Sequence, residues 1–328
     1  MASKCYVVTG GTGFIGSSLV RRLVSEGHEV RVVDNDLRGS RTRLNDVLSD
    51  ITLVQGDARD VNVMTEACRG ATSIIHMAAL NGTKNFYERP DLVLDVGVRS
   101  MLAALDAARA NSIKEFILFS SSEAYQTPSI VPTPEAVPLV VPDPWNSRYS
   151  YGGGKLISEV MLANYCRDLF ERAIVIRPHN VYGPDMGWEH VIPQLVVRAT
   201  HAITATPTGP VPMPIQGDGS HTRSFIYIDD FVDGLMAVLA NGVHRNAYHI
   251  GTSDEVTIRH IVETIFAWFG RQPLLQQLPL PEGGTQRRCP DISKLKSLGF
   301  APKFSLEKGV ALTADWYVKH LEDAPQEG

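Results

Sequence analysis

The stretch V-V-T-G-G-T-G-F-I-G, residues 7–16, decides the fold of this chain. An apolar run leads directly into the glycine pattern G-x-x-G-x-x-G, formed by Gly10, Gly13 and Gly16, and a helical pattern follows. Glycines between a strand and a helix allow a tight turn and a close backbone approach to a pyrophosphate, which lies at the helix N-terminus. The stretch therefore predicts a dinucleotide site at the first strand–helix turn.

The first 180 residues alternate β-branched runs with helical patterns, which is the signature of βαβ units and a parallel sheet. Strands are predicted at Cys5–Thr9, Glu29–Asp34, Thr52–Gln55, Ser73–Met77, Glu115–Ser120 and Ala173–Arg177. Helices are predicted at Phe14–Glu26, Val61–Cys68, Leu92–Ala110 and Lys155–Phe170. We expect an α/β fold with a doubly wound parallel sheet of the Rossmann type, whose ligands bind at the carboxyl ends of the strands.

The region after about residue 178 is richer in proline and glycine, and its predicted helices are Asp229–Ala240, Thr257–Phe269 and Leu306–His320. We predict a dinucleotide-binding domain over 1–178, to which segments around 224–250 return. A smaller substrate-binding lobe is predicted over 179–328. Within the first domain, 127–144 contains six prolines, which exclude a helix or a central strand and predict a stiff loop.

Composition excludes several classes of function. The net charge of −5 over 328 residues argues against a general nucleic-acid binder, which needs a basic surface. The four cysteines show no C-x-x-C pairing, so neither a metal site nor a disulfide framework is predicted. No window of 18 apolar residues suggests a membrane span. With no signal peptide in the N-terminal residues, we expect a cytoplasmic protein.

Two acidic residues follow predicted strands on the dinucleotide-binding side. Asp34 ends the second strand, where a carboxylate can accept hydrogen bonds from a ribose 2′-hydroxyl and repels a 2′-phosphate. This position favours NAD over NADP. Asp57 follows the third strand and is predicted to lie near the adenine.

A tyrosine and a lysine at helical spacing suggest acid–base chemistry. Tyr151 and Lys155 lie on one face of a helix, and a nearby ammonium favours the phenolate, which can remove a hydroxyl proton. Three glycines, 152–154, separate them, although each costs about 1 kcal/mol in a helix. We predict that the missing side chains give the cofactor and a sugar a close approach.

The end of the fifth predicted strand carries three further candidates. Ser121 or Ser122 can hydrogen-bond the reacting oxygen, or only cap the strand end. Glu123 can remove an acidified proton or protonate a leaving group, or it can be a surface residue or an anchor for the proline-rich loop.

At these motifs the sequence resembles the extended short-chain dehydrogenase/reductase family, specifically its NAD-dependent nucleotide-sugar epimerases and dehydratases. The similar stretches are T-G-G-T-G-F-I-G (9–16), H-M-A-A (76–79), F-S-S-S-E-A-Y (119–125), Y-G-G-G-K (151–155), R-P-H-N-V-Y-G-P (177–184), G-D-G-S-H-T-R-S-F-I-Y-I-D-D (217–230) and R-R-C-P-D-I-S-K (287–294). They cover nearly the whole chain.

The resemblance implies two sets of binding residues. NAD is expected against Gly10, Gly13, Phe14, Ile15, Gly16, Asp34, Asp57, Ala58, Ala78, Ser120, Tyr151, Lys155 and Pro178. A nucleoside-diphosphate sugar is expected against Asn81, Ser121, Ser122, Asn180, Arg223 and Arg288, with Asn180 and the two arginines at the diphosphate.

The resemblance also implies transient oxidation at C4 of the sugar, with Tyr151, Lys155, Ser121, Ser122 and Glu123 as catalytic groups. The Ser-Glu pair and R-R-C-P-D-I-S-K are similar to the 4,6-dehydratase and decarboxylase branches. If Glu123 does not act, hydride return to a rotated sugar gives a 4-epimerase. The residue after the A-Y of the motif is Gln126, where the family usually has glycine.

Other classes of protein remain as alternatives. A reductase for a neutral ketone would have no use for the predicted diphosphate residues, and a cofactor-sensing scaffold would have no use for the Ser–Tyr–Lys set. The helices at Leu92–Ala110 and Lys155–Phe170 carry extended apolar faces. Such a pair forms a homodimer interface in the family, so a homodimer is expected.

Overall fold

Seven parallel strands form the central sheet of the computed structural model, which describes residues 3–165, 167–279 and 286–325. In chain order, the strands of the central sheet and of the smaller sheets are β1 (Cys5–Thr9), β2 (Glu29–Asp34), β3 (Ile51–Gln55), β4 (Ser73–His76), β5 (Glu115–Phe119), β6 (Arg172–Pro178), β7 (Val181–Tyr182), β8 (Val211–Gln216), β9 (Thr222–Ser224), β10 (Ile226–Tyr227), β11 (Asn246–Ile250), β12 (Glu255–Thr257), β13 (Pro273–Leu278) and β14 (Arg287–Arg288). The central sheet has the order β11-β6-β5-β4-β1-β2-β3. This is the doubly wound order of a Rossmann-type fold, extended by β11.

Helices cover both faces of this sheet. In chain order, the helices on this sheet and in the rest of the described chain are α1 (Phe14–Ser25), α2 (Val61–Ala67), α3 (Thr83–Glu88), α4 (Pro90–Ala110), α5 (Ser150–Asn164), α6 (Val191–Ala205), α7 (Ile228–Asn241), α8 (Ile258–Trp268), α9 (Ser293–Lys296) and α10 (Leu306–Lys319). Short 3₁₀ helices occur at Arg41–Leu44, Leu48–Asp50, Ser122–Tyr125, Ser147–Tyr149 and Leu321–Asp323. Buried residues of α1 and α7 pack against one face, and those of α2, α4 and α5 against the other.

A third core lies in the second half of the chain. Helices α6, α8 and α10 pack together there with the parallel pair β8–β13. Strand β9 pairs with β12 in antiparallel and with β14 in parallel. These short strands carry Arg223 and Arg288, which they bring to neighbouring positions in the register.

The predicted strands and fold class are confirmed, since all six strand segments appear within one or two residues of their expected bounds. The sheet also recruits β11 from the second half of the chain, where we expected segments to return. Residues 127–144 contain no helix or named strand, as their prolines predict.

One helix prediction is wrong at both ends. We expected a helix over Lys155–Phe170, but α5 spans Ser150–Asn164, and residue 166 lies outside the described residues. The helix begins before the three glycines because Asn146 caps the preceding 3₁₀ turn and leads the chain directly into it. Packing of α5 against α4 overrides the weak helix propensity of glycine.

The structure also bears on membrane spans and on metal binding. None of the helices within the described residues is long and apolar enough to span a bilayer. The same part of the chain contains no cluster of three or more histidine, cysteine or acidic side chains able to hold a metal ion.

A buried carboxylate in α7 binds the segment that leads into α10, and this contact gives a stability prediction. Asp230 in α7 is 1% exposed and accepts hydrogen bonds from the backbone amides of Lys303 (2.9 Å) and Phe304 (2.9 Å). Asp230→Ala leaves these amides unpaired, so we expect the free energy of unfolding to fall by about 1–3 kcal/mol in a denaturant titration. The matched control is Asp229→Ala, which changes an exposed neighbour and should cost about 0.5 kcal/mol or less. Equal losses of unfolding free energy in both variants would show that the hydrogen bonds of Asp230 do not provide this stabilisation.

Candidate active site

A cavity of about 650 Å³ opens at the carboxyl ends of the central strands. The predicted site residues that line it are Gly10, Gly13, Phe14, Ile15, Gly16, Asp34, Asp57, Ala58, Ala78, Asn81, Ser120, Ser121, Ser122, Glu123, Tyr151, Lys155, Pro178, Asn180 and Arg288. Of the predicted residues, Arg223 alone is not among those lining the cavity. The structure thus brings the predicted residues to one place, while their individual roles stay predictions.

The glycine turn has the backbone geometry that a phosphate cradle needs. Gly10 adopts φ +74°, and a Cβ built on it would lie 3.1 Å from the backbone nitrogen of Ala78. A Cβ on Gly16 would lie 2.2 Å from the carbonyl oxygen of Gly10. Only glycine fits at these two positions, and the turn runs directly into the N-terminus of α1.

Asp34 lies at the cavity wall with both carboxylate oxygens held by the backbone. They accept hydrogen bonds from the amides of Thr12 (3.0 Å) and Asp36 (3.0 Å). Asp57, at the next strand end, accepts from the guanidinium of Arg59, and this hydrogen bond holds the pKa of its carboxyl below the usual value. Two fixed anions at this end of the cavity suit ribose hydroxyls and disfavour an additional phosphate.

The residues at the cavity fit a bound dinucleotide. The hydroxyl of Ser120 is buried without a hydrogen-bond partner, although the residue lines the cavity. A buried polar atom of this kind is costly unless a ligand or water satisfies it. Together with the glycine cradle and the fixed carboxylate of Asp34, it matches the extended polar surface of NAD.

Tyr151 faces the cavity from the first turn of α5. Its ring stacks on Phe86 with 5.1 Å between centroids. Burial raises the pKa of the Tyr151 phenol to about 12, and the nearby side chain of Ser121 acts in the opposite direction. Ser121 is therefore the candidate serine whose side chain acts on this phenol.

The ammonium of Lys155 binds a backbone carbonyl group close to Tyr151 rather than the Tyr151 phenol. Its ammonium donates a hydrogen bond to the carbonyl oxygen of Phe119 (2.7 Å) and lies 5.7 Å from the centre of the Tyr151 ring. Burial lowers the pKa of Lys155 to about 8. We expected the ammonium to favour the phenolate, but at this distance it does not offset the cost of burying the phenolate charge.

Glu123 lies on the 3₁₀ turn that follows β5. Ser121 begins this turn, since its hydroxyl oxygen accepts a hydrogen bond from the amide of Glu123 (3.1 Å). The carboxylate of Glu123 accepts a hydrogen bond from Arg288 at 2.5 Å. Burial alone would raise the pKa of this carboxyl, but the charges of Arg288, Arg148 and Arg223 outweigh it and hold the pKa below its ordinary value.

The other predicted substrate residues lie in or near the same cavity. Asn180 lines the cavity and donates a hydrogen bond from its amide to the carbonyl oxygen of Ser224 (2.7 Å). Arg223 is close enough to Arg288 and Glu123 for their charges to act on it, and burial lowers its pKa to about 10. Asn81 lines the cavity just before α3 begins. A strongly positive surface thus surrounds one carboxylate.

Sequence reasoning missed two residues at this site. Arg148 lies just before the Tyr–Lys motif, and only its contribution to the electrostatics of Glu123 reveals it. Gln126 is 6% exposed and adopts φ +55°, ψ −106°, a conformation that favours glycine. Such backbone strain costs about 1–3 kcal/mol in a non-glycine residue. The signal in the sequence was glutamine at a position where the family usually has glycine.

The three glycines of α5 do not have the role that we predicted. None of Gly152, Gly153 and Gly154 lines the cavity, so they do not give a ligand its approach. A Cβ on Gly152 would lie 2.4 Å from the side-chain nitrogen of Gln126 and 2.8 Å from the carbonyl oxygen of Glu123. Built on Gly154, it would meet its nearest atom at an ordinary 3.8 Å. Gly152 makes room for the turn that carries Glu123.

The chain is similar in sequence to several known proteins. A sequence model of the NAD dependent epimerase/dehydratase family matches residues 6–251. UDP-glucuronic acid decarboxylase 1 of Arabidopsis thaliana is 30% identical over 307 residues, which cover 93% of this chain and 67% of the relative. The UDP-N-acetyl-alpha-D-glucosaminuronate decarboxylase of Bacillus cytotoxicus is 29% identical over 97% of this chain and 98% of its own length.

Solved structures agree with the same assignment. DesIV, a dTDP-glucose 4,6-dehydratase of Streptomyces venezuelae solved with NAD bound, superposes with a TM-score of 0.85. It is 27% identical, and the match covers 97% of this chain and 98% of that one. The sheet, the glycine turn and the Tyr–Lys pair define a dinucleotide-dependent enzyme. The chain belongs to the NAD-dependent epimerase/dehydratase family, so the predictions of NAD as cofactor and of a nucleotide-sugar enzyme of the epimerase/dehydratase class are confirmed.

Removing the phenol hydroxyl tests the assigned proton-transfer group. Tyr151→Phe keeps the ring and its contact with Phe86 but cannot carry a proton, so we expect turnover to fall about 10²–10⁴-fold. The bound NAD content, measured after denaturation, should change little. Tyr149→Phe makes the same change two residues earlier and should retain turnover. Full activity of Tyr151→Phe would contradict the mechanism.

Proposed function

We propose that the protein is a lyase that decarboxylates a nucleoside-diphosphate hexuronic acid through transient oxidation at C4. The observation that carries this proposal is the ion pair between Glu123 and Arg288 at the cavity. It favours one of the reactions of the family over the others.

The first step needs a base at the C4 hydroxyl. NAD held by the glycine turn and Asp34 would supply a hydride acceptor and a positive nicotinamide ring that favours the phenolate. Tyr151 takes the hydroxyl proton, and Ser121, whose side chain acts on the phenol, holds the oxygen in place. Lys155, anchored on the carbonyl of Phe119, supports the phenolate through space and keeps the helix in register with β5.

The second step follows from the ketone. A carbonyl at C4 makes a C6 carboxylate part of a β-keto acid, so the C5–C6 bond breaks and carbon dioxide leaves. The bonding electron pair stays on C5 and spreads onto the C4 oxygen, and C5 then takes up a proton from solvent. The hydride removed from C4 in the first step would return to it from the reduced cofactor, and Tyr151 returns its proton to the C4 oxygen.

The charge on Glu123 distinguishes this route from dehydration. A 4,6-dehydratase must protonate the C6 hydroxyl group as it leaves, which requires a carboxylic acid. Glu123 is held ionised, because the charges of the neighbouring arginines lower its pKa against the effect of burial. Carbon dioxide leaves without such a proton, so an ionised Glu123 is compatible with decarboxylation.

The surrounding charge also suits an anionic sugar. Arg288, Arg223 and Arg148 all act on Glu123, so positive side chains outnumber negative ones beside the reacting carbon. The diphosphate of either substrate can pair with Arg223, but only a uronic acid adds a carboxylate that can use the remaining positive charge. The two decarboxylases among the relatives support the same substrate class.

Substrate anchoring is proposed for the lobe at residues 179–328. Asn180 and Arg223 would contact the diphosphate, since both lie on the lobe side of the reaction centre. Asn81 would approach the sugar from α3. Arg288 would then contact the sugar carboxylate rather than the diphosphate role we expected for it.

A 4-epimerase is the second candidate, because an ion pair that only anchors the turn would look the same. In that case Glu123 takes no part in the chemistry and the protein is an isomerase. A reductase for a neutral ketone is disfavoured by the arginines around the site.

We further propose a cytoplasmic homodimer. Helices α4 and α5 pack on each other and leave Leu94, Ile157 and Val160 38–46% exposed. Apolar side chains on adjacent helices favour burial against a second copy. The thiols of Cys5, Cys68 and Cys289 are buried and free, which suits a reducing compartment.

Substrate screening with a matched arginine pair tests the proposed reaction. Purified protein is given uridine, guanosine, cytidine and thymidine diphosphate glucuronic acids and the matching glucoses, and products are followed by NMR. We expect one uronic acid to yield a pentose and carbon dioxide. Conversion of a glucose to a 4-keto-6-deoxy sugar or a C4 epimer, with all uronic acids untouched, would overturn the proposal.

Arg288→Met is expected to lower kcat/KM for the uronic acid about 10²-fold, because it leaves the Glu123 carboxylate without its partner in a largely enclosed position, where the side chain is 27% exposed. The control is Arg287→Met, which removes an exposed side chain that pairs with Glu255 outside the cavity. It should change kcat/KM less than threefold. Similar losses in both variants would show that the segment matters only for folding.

The homodimer is tested by a charge on the exposed face of α5. Val160 is 46% exposed, and Val160→Lys should convert a dimer to a monomer in analytical ultracentrifugation. Leu312→Lys makes the same kind of change at a 44% exposed position of α10 and should leave the mass unchanged. A monomeric parent protein would refute the proposed assembly.

A further inference from the structure

Gln126 is a buried residue beside the site, and its backbone adopts an unusual conformation. It is 6% exposed and adopts φ +55°, ψ −106°. L side chains rarely adopt this conformation, and glycine adopts it at little cost. Glutamine at this position costs conformational free energy in the backbone, and favourable contacts of its side chain must offset that cost.

The side chain of Gln126 folds back onto its own turn. Its amide nitrogen donates a hydrogen bond to the carbonyl oxygen of Glu123 (2.6 Å), and its backbone amide donates to the same oxygen (3.2 Å). That carbonyl is therefore held twice by one residue. The hydrogen bonds fix the orientation of the peptide that follows Glu123.

The same amide fills the space beside the helix that carries Tyr151. A Cβ on Gly152 would lie 2.4 Å from the Gln126 amide nitrogen and 2.8 Å from the Glu123 carbonyl oxygen. The turn and the first turn of α5 thus touch backbone to backbone, one residue after the catalytic tyrosine. Gln126 and Gly152 are complementary: one supplies the amide and the other the room.

The opposite flank of the turn has separate supports. The hydroxyl of Tyr125 hydrogen-bonds His249 (2.7 Å), and the amide of Val140 donates to the carbonyl oxygen of Ala124 (3.0 Å). These contacts hold the turn to the sheet and to the proline-rich loop. The Gln126 side chain holds the turn on the side that faces Tyr151, where Ser121 also acts on the phenol.

We propose that Gln126 is a positioning residue, which locks the Glu123 turn against Gly152 and so sets where the Glu123 carboxylate lies relative to the Tyr151 phenol. The inference rests on the proposed function, in which the Glu123–Arg288 pair acts on the sugar after C4 has been oxidised. Gln126 makes no contact with the reacting atoms and acts through the Glu123 backbone.

The decisive variant is Gln126→Gly in the NAD-loaded enzyme. Glycine relieves the backbone strain, so thermal stability should not fall, whereas loss of the amide should lower kcat about tenfold with KM changed less than threefold. Oxidation at C4, followed as the first burst of NADH absorbance, should keep its rate, because Tyr151 is untouched. Oxidised sugar should then accumulate.

Gln126→Met keeps the length of the side chain without the hydrogen bond, and it should show the same separation of burst and turnover. Gly152→Ala should lower kcat as well, because its Cβ displaces the amide, whereas a Cβ at Gly154 makes only an ordinary contact of 3.8 Å with Leu94, so Gly154→Ala should retain activity. Gln126→Gly with turnover within twofold of the parent would overturn the inference, and so would an equal loss of burst and turnover.

Glu123→Gln separates failure of the inference from failure of the proposed function. If this variant loses turnover and Gln126→Gly does not, the positioning role is wrong while the proposed function stands. If Glu123→Gln keeps full turnover, the proposed role of Glu123 is wrong and the positioning role falls with it.

Discussion

In the proposed function, the chemistry of this site depends on the ion pair between Glu123 and Arg288. A carboxyl group that is largely removed from water would rather be neutral, and a neutral Glu123 would be a proton donor. Arg288 reverses this preference, because its guanidinium donates to the carboxylate at 2.5 Å while Arg148 and Arg223 add positive charge. In the proposed function, the protonation state of Glu123 therefore separates decarboxylation from dehydration, two reactions that pass through the same kind of oxidised sugar.

The pair also connects parts of the chain that lie far apart in sequence. Glu123 follows β5, and Arg288 lies 165 residues later on β14. Strand β14 is held by its parallel pairing with β9, which carries Arg223. The short sheet of the second lobe thus delivers two arginines to the end of a strand of the central sheet, and the 3₁₀ turn at that end is held against the helix of Tyr151.

The sequence predicts local features of this protein well, because they depend on neighbouring residues. The glycine turn, the strand ends and the Tyr–Lys pair each have a short-range pattern, and all appear where expected. The Glu123–Arg288 pair has no such pattern, since only the pairing of β9 and β14 brings its members together. The resemblance named both residues but implied separate roles for them.

The start of α5 shows a second limit. Propensity argues against helix at 152–154, and nothing local reveals that the 3₁₀ turn after β5 occupies the space beside Gly152. A contact between two backbones fixed this residue as glycine, and the cavity did not. Gln126 is the complement of that contact, which explains why a residue that looked like a departure from the family pattern is buried and strained.

A carbon-13 NMR titration of the Glu123 carboxyl tests the central claim most directly. Its signal is identified in glutamate-labelled protein by its absence from Glu123→Gln. We predict a pKa below the ordinary glutamate value in the parent protein and a pKa above it in Arg288→Met, where burial acts with less opposition. A raised pKa in the parent protein would contradict the claim, because Glu123 would then be an acid and dehydration would become the favoured reaction.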